Sequence, residues 1–273
     1  MQLKFVKINP CENMTVFILD EIPRDMHSKV AKKLMGYGSI YAEQVGFIEK
    51  SEDIYRVQMM GGEFCGNASR GFASYMVYKN YPGIKKTDTV YNVPLEVSGL
   101  EKILNCKVSE GLSPNTFFAK IEMPLPIDHK STKINYKDRE LSLFRVNFEG
   151  ISHFIVDAQS INDKLNFFNQ LKASIQDANL EAFGVMFYNK NTNYIEPLVY
   201  VRDTDTTCFE RSCASGTAAL GVSLAFESSQ SQTLKIGQPG GSLEVSVECR
   251  DNKIHHIELG GEIEIVAEGT VIV

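Results

Sequence analysis

"CGNASRGFASYMVY" (residues 65–78) and "CASGTAALGVSLAF" (residues 213–226) share one plan. Each opens on a cysteine, continues with small residues and settles into a helix-like run, to about Tyr81 in one case and Phe226 in the other. Thirty residues after each cysteine stands the same word, LEVS, at residues 95–98 and 243–246. Four identical residues at one shared offset arise by chance roughly once in ten thousand or less at average composition. The chain therefore reads as two copies of one unit, 148 residues apart, each with a cysteine at the start of a helix. A pseudo-twofold pair of such units is expected to turn the two thiols toward each other across a cleft.

Strand signals fill most of the remainder. LKFVKI, TVFIL, YRVQM, FFAKIEM, LSLFRVNF and YIEPLVYV are short, β-branched or aromatic, and often alternate. Helical spacing is rarer. Residues 24–38 place Met26, Val30 and Leu34 on one face. Residues 160–180 open with Ser160 and Asp163 in capping-box spacing and carry Leu165, Phe168, Leu171 and Ile175 on one face. The mixture predicts an α+β fold. The repeat divides it into lobes at 1–127, with Cys65, and 128–273, with Cys213. PLPIDHK (residues 124–130) breaks the strand pattern near that boundary.

The length of 273 residues fits about two domains. A formal net charge of −6 argues against nucleic-acid binding, which needs a basic face. The apolar runs are too short to span a membrane. The first residues, MQLKFVKINP, are strand-like and lack the apolar core of a signal peptide. A cytoplasmic protein is expected, with no membrane partner. None of the six cysteines forms a C-x-x-C pair or a zinc-finger pattern with histidine. No metal is expected, and Cys11, Cys106, Cys208 and Cys249 read as small buried hydrophobes. GYGSIY (residues 36–41) lacks the third glycine of a dinucleotide fingerprint, and no phosphate-binding loop is present. No cofactor is called for.

A helix start offers unpaired N–H groups and partial positive charge. It binds a carboxylate and lowers the pKa of a thiol. Small residues beside the thiol let a ligand reach the backbone. Two such ends could grip one amino acid by its carboxylate with a sulfur on each face of the α-carbon. A thiolate would remove the proton from one side and a thiol would return one to the other, inverting the centre by general acid–base catalysis. Cys65 and Cys213 are the candidate bases. Gly66, Asn67, Ala214, Ser215 and Gly216 serve both helix-start geometry and the carboxylate. Glu210 reads as either a surface carboxylate or a contact to the substrate ammonium. His153 reads as a structural histidine.

EFCGNASRG and ERSCASGTAALG resemble the two cysteine motifs of the diaminopimelate epimerase family, which are cofactor-independent racemases and epimerases with a duplicated fold. NPCENMTVFILD resembles that family's first substrate loop, with Asn13 at its asparagine. AEQVGFIE resembles the second, with Gln44 at its glutamine. GQPGGSLEVSV also fits. The resemblance covers nearly the whole chain. It implies that each lobe is a curved, mostly antiparallel sheet around a central helix, with the last strand crossing back to the first lobe. Positions that grip the distal end of diaminopimelate differ: Gln58 and Ile151 replace asparagines, and Glu210-Arg211 stand immediately before Ser212-Cys213. NPCENMT, EQVGFIE, EFCGNA, SCASGTA and QPGGS are similar instead to the histidine racemase branch, whose product feeds opine-type metallophore synthesis in some bacteria. In that branch the glutamate matching Glu43 is a candidate partner for the imidazole. Ala214 stands where a glycine usually follows the second cysteine. The expected activity is cofactor-independent racemisation of histidine. Diaminopimelate epimerisation, non-catalytic amino-acid binding and a thiol redox sensor are the alternatives. The expected partner is a small-molecule amino acid, and the oligomeric state is open, with a homodimer one candidate.

Overall fold

The computed structural model of the chain describes residues 1–51, 54–137, 139–175, 180–202 and 205–273. They form two compact units: Met1–Glu122 with Leu259–Val273, and Met123–Glu258.

The first unit contains β1 (Gln2–Asn9), β2 (Thr15–Ile18), α1 (His27–Met35), β3 (Gln44–Ser51), β4 (Ile54–Met59), α2 (Gly66–Tyr78), β5 (Lys85–Thr87), β6 (Val90–Val97), β7 (Leu104–Glu110) and β8 (Thr116–Glu122). The second contains β9 (Asp128–Tyr136), β10 (Arg139–Phe148), β11 (Ile151–Asp157), α3 (Lys164–Ser174), β12 (Ala182–Asn189), β13 (Tyr194–Val201), β14 (Thr206–Phe209), α4 (Ala214–Ser228), β15 (Gln232–Gln238) and β16 (Gly241–Arg250). The last strand, β17 (Lys253–Ile272), begins in the second unit. From Leu259 onward it belongs to the first, where it lies antiparallel to β1 from Gln2↔Ile272 to Asn9↔Glu264.

The two units repeat one pairing scheme. β1–β2 is antiparallel, β2–β3 parallel, β3–β4 antiparallel, β4–β6 parallel and β6–β7 antiparallel. β10–β11, β11–β12, β12–β13, β13–β15 and β15–β16 follow in the same senses. A parallel pair needs a long crossover, usually a helix. α1 and α3 fill the first crossover of each unit, and α2 and α4 the second. The two LEVS words do not occupy matching strands. Leu95–Val97 close β6, the strand beside β4, whereas Leu243–Ser246 lie in β16, one strand beyond the neighbour of β13. β5 is an extra strand in the first copy, so equal sequence offsets stop meaning equal positions there.

Helix burial separates two roles. All but the last of the 13 residues of α2 are buried, charged Arg70 among them. α2 packs on β2, β4, β6, β7 and β8, and α4 on β10, β11, β12, β15 and β16. Each is a central helix wrapped by its own sheet, apolar nearly all round as such burial demands. α1 lays Val30, Ala31 and Leu34 on Val16, Ile18, Val45 and Phe47. α3 lays Phe167, Phe168 and Leu171 on Phe154, Phe183 and Phe187.

Three expectations change. Leu165 is exposed, because the buried face of α3 runs through Phe167 instead. Asp163 is itself the N-cap, accepting the N–H of Asn166, so Ser160 precedes the helix rather than capping it. The end of that predicted helix, residues 176–179, lies outside the described residues. Cys106 and Cys249 are buried, but Cys208 is exposed on the short strand β14 and Cys11 is half-buried in a turn. Among the described residues, no helix is long and apolar enough to cross a membrane.

Candidate active site

Each cysteine singled out in the sequence is the N-cap of its unit's central helix. Cys65 precedes α2 in an extended conformation (φ −131°), and its sulfur accepts the N–H of Ala68 at 3.4 Å. Cys213 precedes α4 (φ −122°), and its sulfur accepts the N–H of Gly216 at 3.4 Å. The matching hydroxyls one turn on donate to the two cysteine carbonyls, Ser69 at 2.8 Å and Thr217 at 2.7 Å. The same capping geometry therefore occurs twice, with different surroundings.

In the first unit, the turn between β1 and β2 carries two successive left-handed residues, Cys11 (φ 56°) and Glu12 (φ 62°). Asn9 stabilises it by accepting the Glu12 N–H at 2.6 Å. The turn delivers Asn13 to the buried start of β2. Parallel pairing sets Gln44 opposite Thr15. The Gln44 amide donates to Asn13 Oδ1 at 2.7 Å and to Thr15 Oγ1 at 2.8 Å. Its own oxygen accepts the Cys65 thiol at 3.3 Å. Asn67 donates to Asn13 Oδ1 at 3.1 Å, and Asn13 donates to Glu43 at 2.8 Å. Asn13, Glu43, Gln44, Cys65, Gly66 and Asn67, six residues chosen from sequence, thus form one connected cluster.

In the second unit, Gln238 accepts the Cys213 N–H at 2.7 Å and donates to Thr217 at 2.9 Å. Ser215 Oγ lies 3.8 Å from the Cys213 sulfur and 2.9 Å from Nε2 of His153. The Glu210 carboxylate reaches the same sulfur as a hydrogen-bond partner. A Cβ on Gly216 would collide with the tip of the Met186 side chain and lie 3.1 Å from the sulfur, so any larger residue there requires Met186 to move. Glu210, Cys213, Ala214, Ser215 and Gly216 are again one cluster.

The helix starts do not lower the thiol pKa values on balance. Burial pushes Cys65 up to about 11, with Glu63 adding to the rise and the Ala68 N–H opposing it. Burial also pushes Cys213 well above the ordinary thiol range, with Glu210 adding to it. Removing a sulfur anion from water outweighs the helix-end field. Burial therefore favours the thiol form of both cysteines in the substrate-free protein, and one must lose its proton before it can act as a base. Burial lowers the His153 pKa to about 3, so its imidazole is neutral near pH 7.

Sequence reasoning did not single out Thr15, Arg70 or Gln238. Gln238 lies in the QPGGS motif, which was the available signal. Thr15 lies in NPCENMT and Arg70 in EFCGNASRG, but within those motifs nothing set them apart, since a threonine in a strand and an arginine in a helix are ordinary residues.

Duplicated β-α-β units of this kind are the fold of solved racemases and epimerases. A hydroxyproline epimerase from Agrobacterium vitis, solved with bound trans-4-hydroxy-L-proline, has this fold: TM-score 0.67 at 9% identity, over 99% of this chain and 92% of that one. The chain belongs to the histidine racemase CntK N-terminal domain family, whose family model matches residues 2–272. It is 37% identical to a histidine racemase of Fusobacterium nucleatum subsp. nucleatum, over 99% of this chain and 97% of that one. It is 24% identical to a histidine racemase of Staphylococcus aureus, over 98% and 96%.

Proposed function

We propose that the protein interconverts L- and D-histidine without a cofactor, with Cys65 and Cys213 as the two bases. The observation that carries this reading is the duplicated cap: each repeat places one thiol at the N-terminus of its central helix. Full-length similarity to histidine racemases supports the substrate.

Inversion at the α-carbon needs a base for one face and an acid for the other. One cysteine, as thiolate, takes the α-proton, and the C–H electron pair moves toward the carboxylate. The other, as thiol, gives its proton to the opposite face and becomes the thiolate. The reverse direction exchanges the roles. Charge developing on the carboxylate is stabilised by helix-start N–H groups, from Gly66 and Asn67 on one side and Ala214 and Ser215 on the other, while Gly216 keeps that helix start open. Asn13 and Gln44 bind and orient the substrate. Glu43, exposed and accepting from Asn13, pairs with the imidazole. Glu210 meets the substrate ammonium, which would also relieve the carboxylate charge that adds to burial in favouring the Cys213 thiol. The protein acts in the cytoplasm, and its D-histidine supplies opine-type metallophore synthesis.

Incubation with single L-amino acids in deuterated water tests this. Histidine should exchange its α-proton and lose optical activity, while diaminopimelate should not. Exchange of diaminopimelate alone would replace the substrate assignment. Tight histidine binding without exchange would leave a binding protein. Cys65→Ser and Cys213→Ser should each abolish full racemisation, and normal racemisation by both variants would refute the two-thiol mechanism.

A further inference from the structure

Arg70 is fully buried, and its Nε and Nη1 have no hydrogen-bond partner among the described residues. Burial lowers its pKa, yet a guanidinium remains protonated in proteins. A buried, underpaired charge costs stability. Packing gives no reason for it, because an apolar side chain would fill the same interior.

The one hydrogen bond the guanidinium makes among the described residues shows what it does. Nη2 donates to Asn67 Oδ1 at 2.6 Å. Asn67 then has only its NH2 to offer, and this donates to Asn13 Oδ1 at 3.1 Å. Asn13 in turn donates to Glu43 at 2.8 Å. The chain runs from a group that can only donate, through two amides, to a carboxylate that accepts. Turning Asn67 over would set its NH2 against the guanidinium. Turning Asn13 over would set its oxygen against Glu43. Asn13 Oδ1 also receives the Gln44 amide, which leaves Gln44 Oε1 facing the Cys65 thiol. The second repeat has no such device, since Ala218 stands five residues after Cys213 as Arg70 stands five after Cys65.

We propose that Arg70 is a positioning residue: through the Asn67 and Asn13 amides it fixes which way Glu43 and Gln44 face, and so couples side-chain recognition to the Cys65 thiol. The proposal rests on the racemase reading. A mutant cycle on kcat/KM for histidine tests it. Arg70→Met should lower kcat/KM about tenfold, the value of one hydrogen bond to a charged group. Arg70→Lys, which still donates to Asn67, should recover most of the loss. Arg70→Met combined with Asn67→Ala should be no worse than Asn67→Ala alone, because both break one chain. Losses that multiply, or a lysine variant no better than the methionine one, overturn the proposal. Should Arg70→Met not fold, Asn67→Asp carries the test. It keeps the bond to Arg70 but has no N–H for Asn13, so kcat/KM should fall by a similar factor, and an unchanged value overturns the proposal. If the wild-type protein exchanges no histidine α-proton, the racemase reading has failed, and the chain is then judged by the thiol. Asn67→Ala removes one of the two bonds that orient the Asn13 amide, leaving Glu43 as the other, so Gln44 should turn its NH2 toward the sulfur more often and iodoacetamide should alkylate Cys65 about threefold faster at pH 8. An unchanged rate overturns the positioning role.

Discussion

A thiol at a helix start is pulled two ways. The Ala68 N–H favours the anion on Cys65, while burial and the Glu63 carboxylate favour the neutral form, and the latter win. The thiol also donates to Gln44 Oε1, a bond that only the protonated sulfur makes. Alkylation of Cys65 in the substrate-free protein should therefore track a midpoint near 11. Its rate should rise about tenfold per pH unit between roughly pH 7 and 10, since only the thiolate reacts. A plateau above pH 9, measured by peptide mapping, would show that burial does not control the thiol. Gly216 sets a steric limit on the other sulfur. Gly216→Ala drives a methyl into Met186 and against Cys213. Activity should fall by at least about tenfold, with a stability loss of about 1–3 kcal/mol from overpacking. Gly216→Ala with Met186→Val, which shortens the side chain the methyl meets while keeping most of its volume, should recover part of the stability in a melting experiment but not the geometry at the sulfur.

At the scale of elements, much was legible because chemistry and geometry coincide there. Cysteine followed by small residues reads as a helix start, and both central helices begin at the next residue. Alternation exposed most strands, and the loops of Asn13 and Gln44 resembled known ones closely enough to place both residues. The interior charge was not legible, because arginine in a helix ordinarily faces solvent. Nor was the true N-cap of α3, since Ser160 and Asp163 both suit the role and only the folded backbone selects Asp163. Asp163→Ala should cost about 1 kcal/mol in denaturant unfolding, and Ser160→Ala much less. β11 carries a second consequence of burial. The His153 pKa is lowered from 6.5 to about 3 in the folded state. Between those values the unfolded chain takes up a proton that the folded chain refuses. The stabilisation is thus complete above pH 6.5 and is lost as the pH falls toward 3. His153→Gln should flatten the pH dependence of stability over that window. Some slope should remain, because burial also lowers His27 and His129. An unaltered slope would show that His153 is solvated.

At the scale of the molecule, duplication was visible in the sequence, but through one marker that holds and one that does not. The capping cysteines are equivalent in the pairing scheme. The LEVS words are not, because β5 shifts the first copy by a strand, and a shared offset measures chain length rather than position. The scheme also makes the first unit depend on the far end of the chain. β1 has β2 on one side and the Leu259–Val273 segment on the other. Val271 packs with Leu3 and Phe5, and the Met1 ammonium donates to the Val273 carbonyl at 2.7 Å. Removing residues 259–273 would strip β1 of eight paired positions and uncover that part of the core. The truncated chain should lose the cooperative unfolding of the first unit, read by hydrogen exchange of β1 and β2 amides. Protection should persist in β12 and β13, whose neighbours all lie within Met123–Glu258. Equal protection of β1 in the full-length and truncated chains would mean that the first unit closes its sheet without the C-terminal strand.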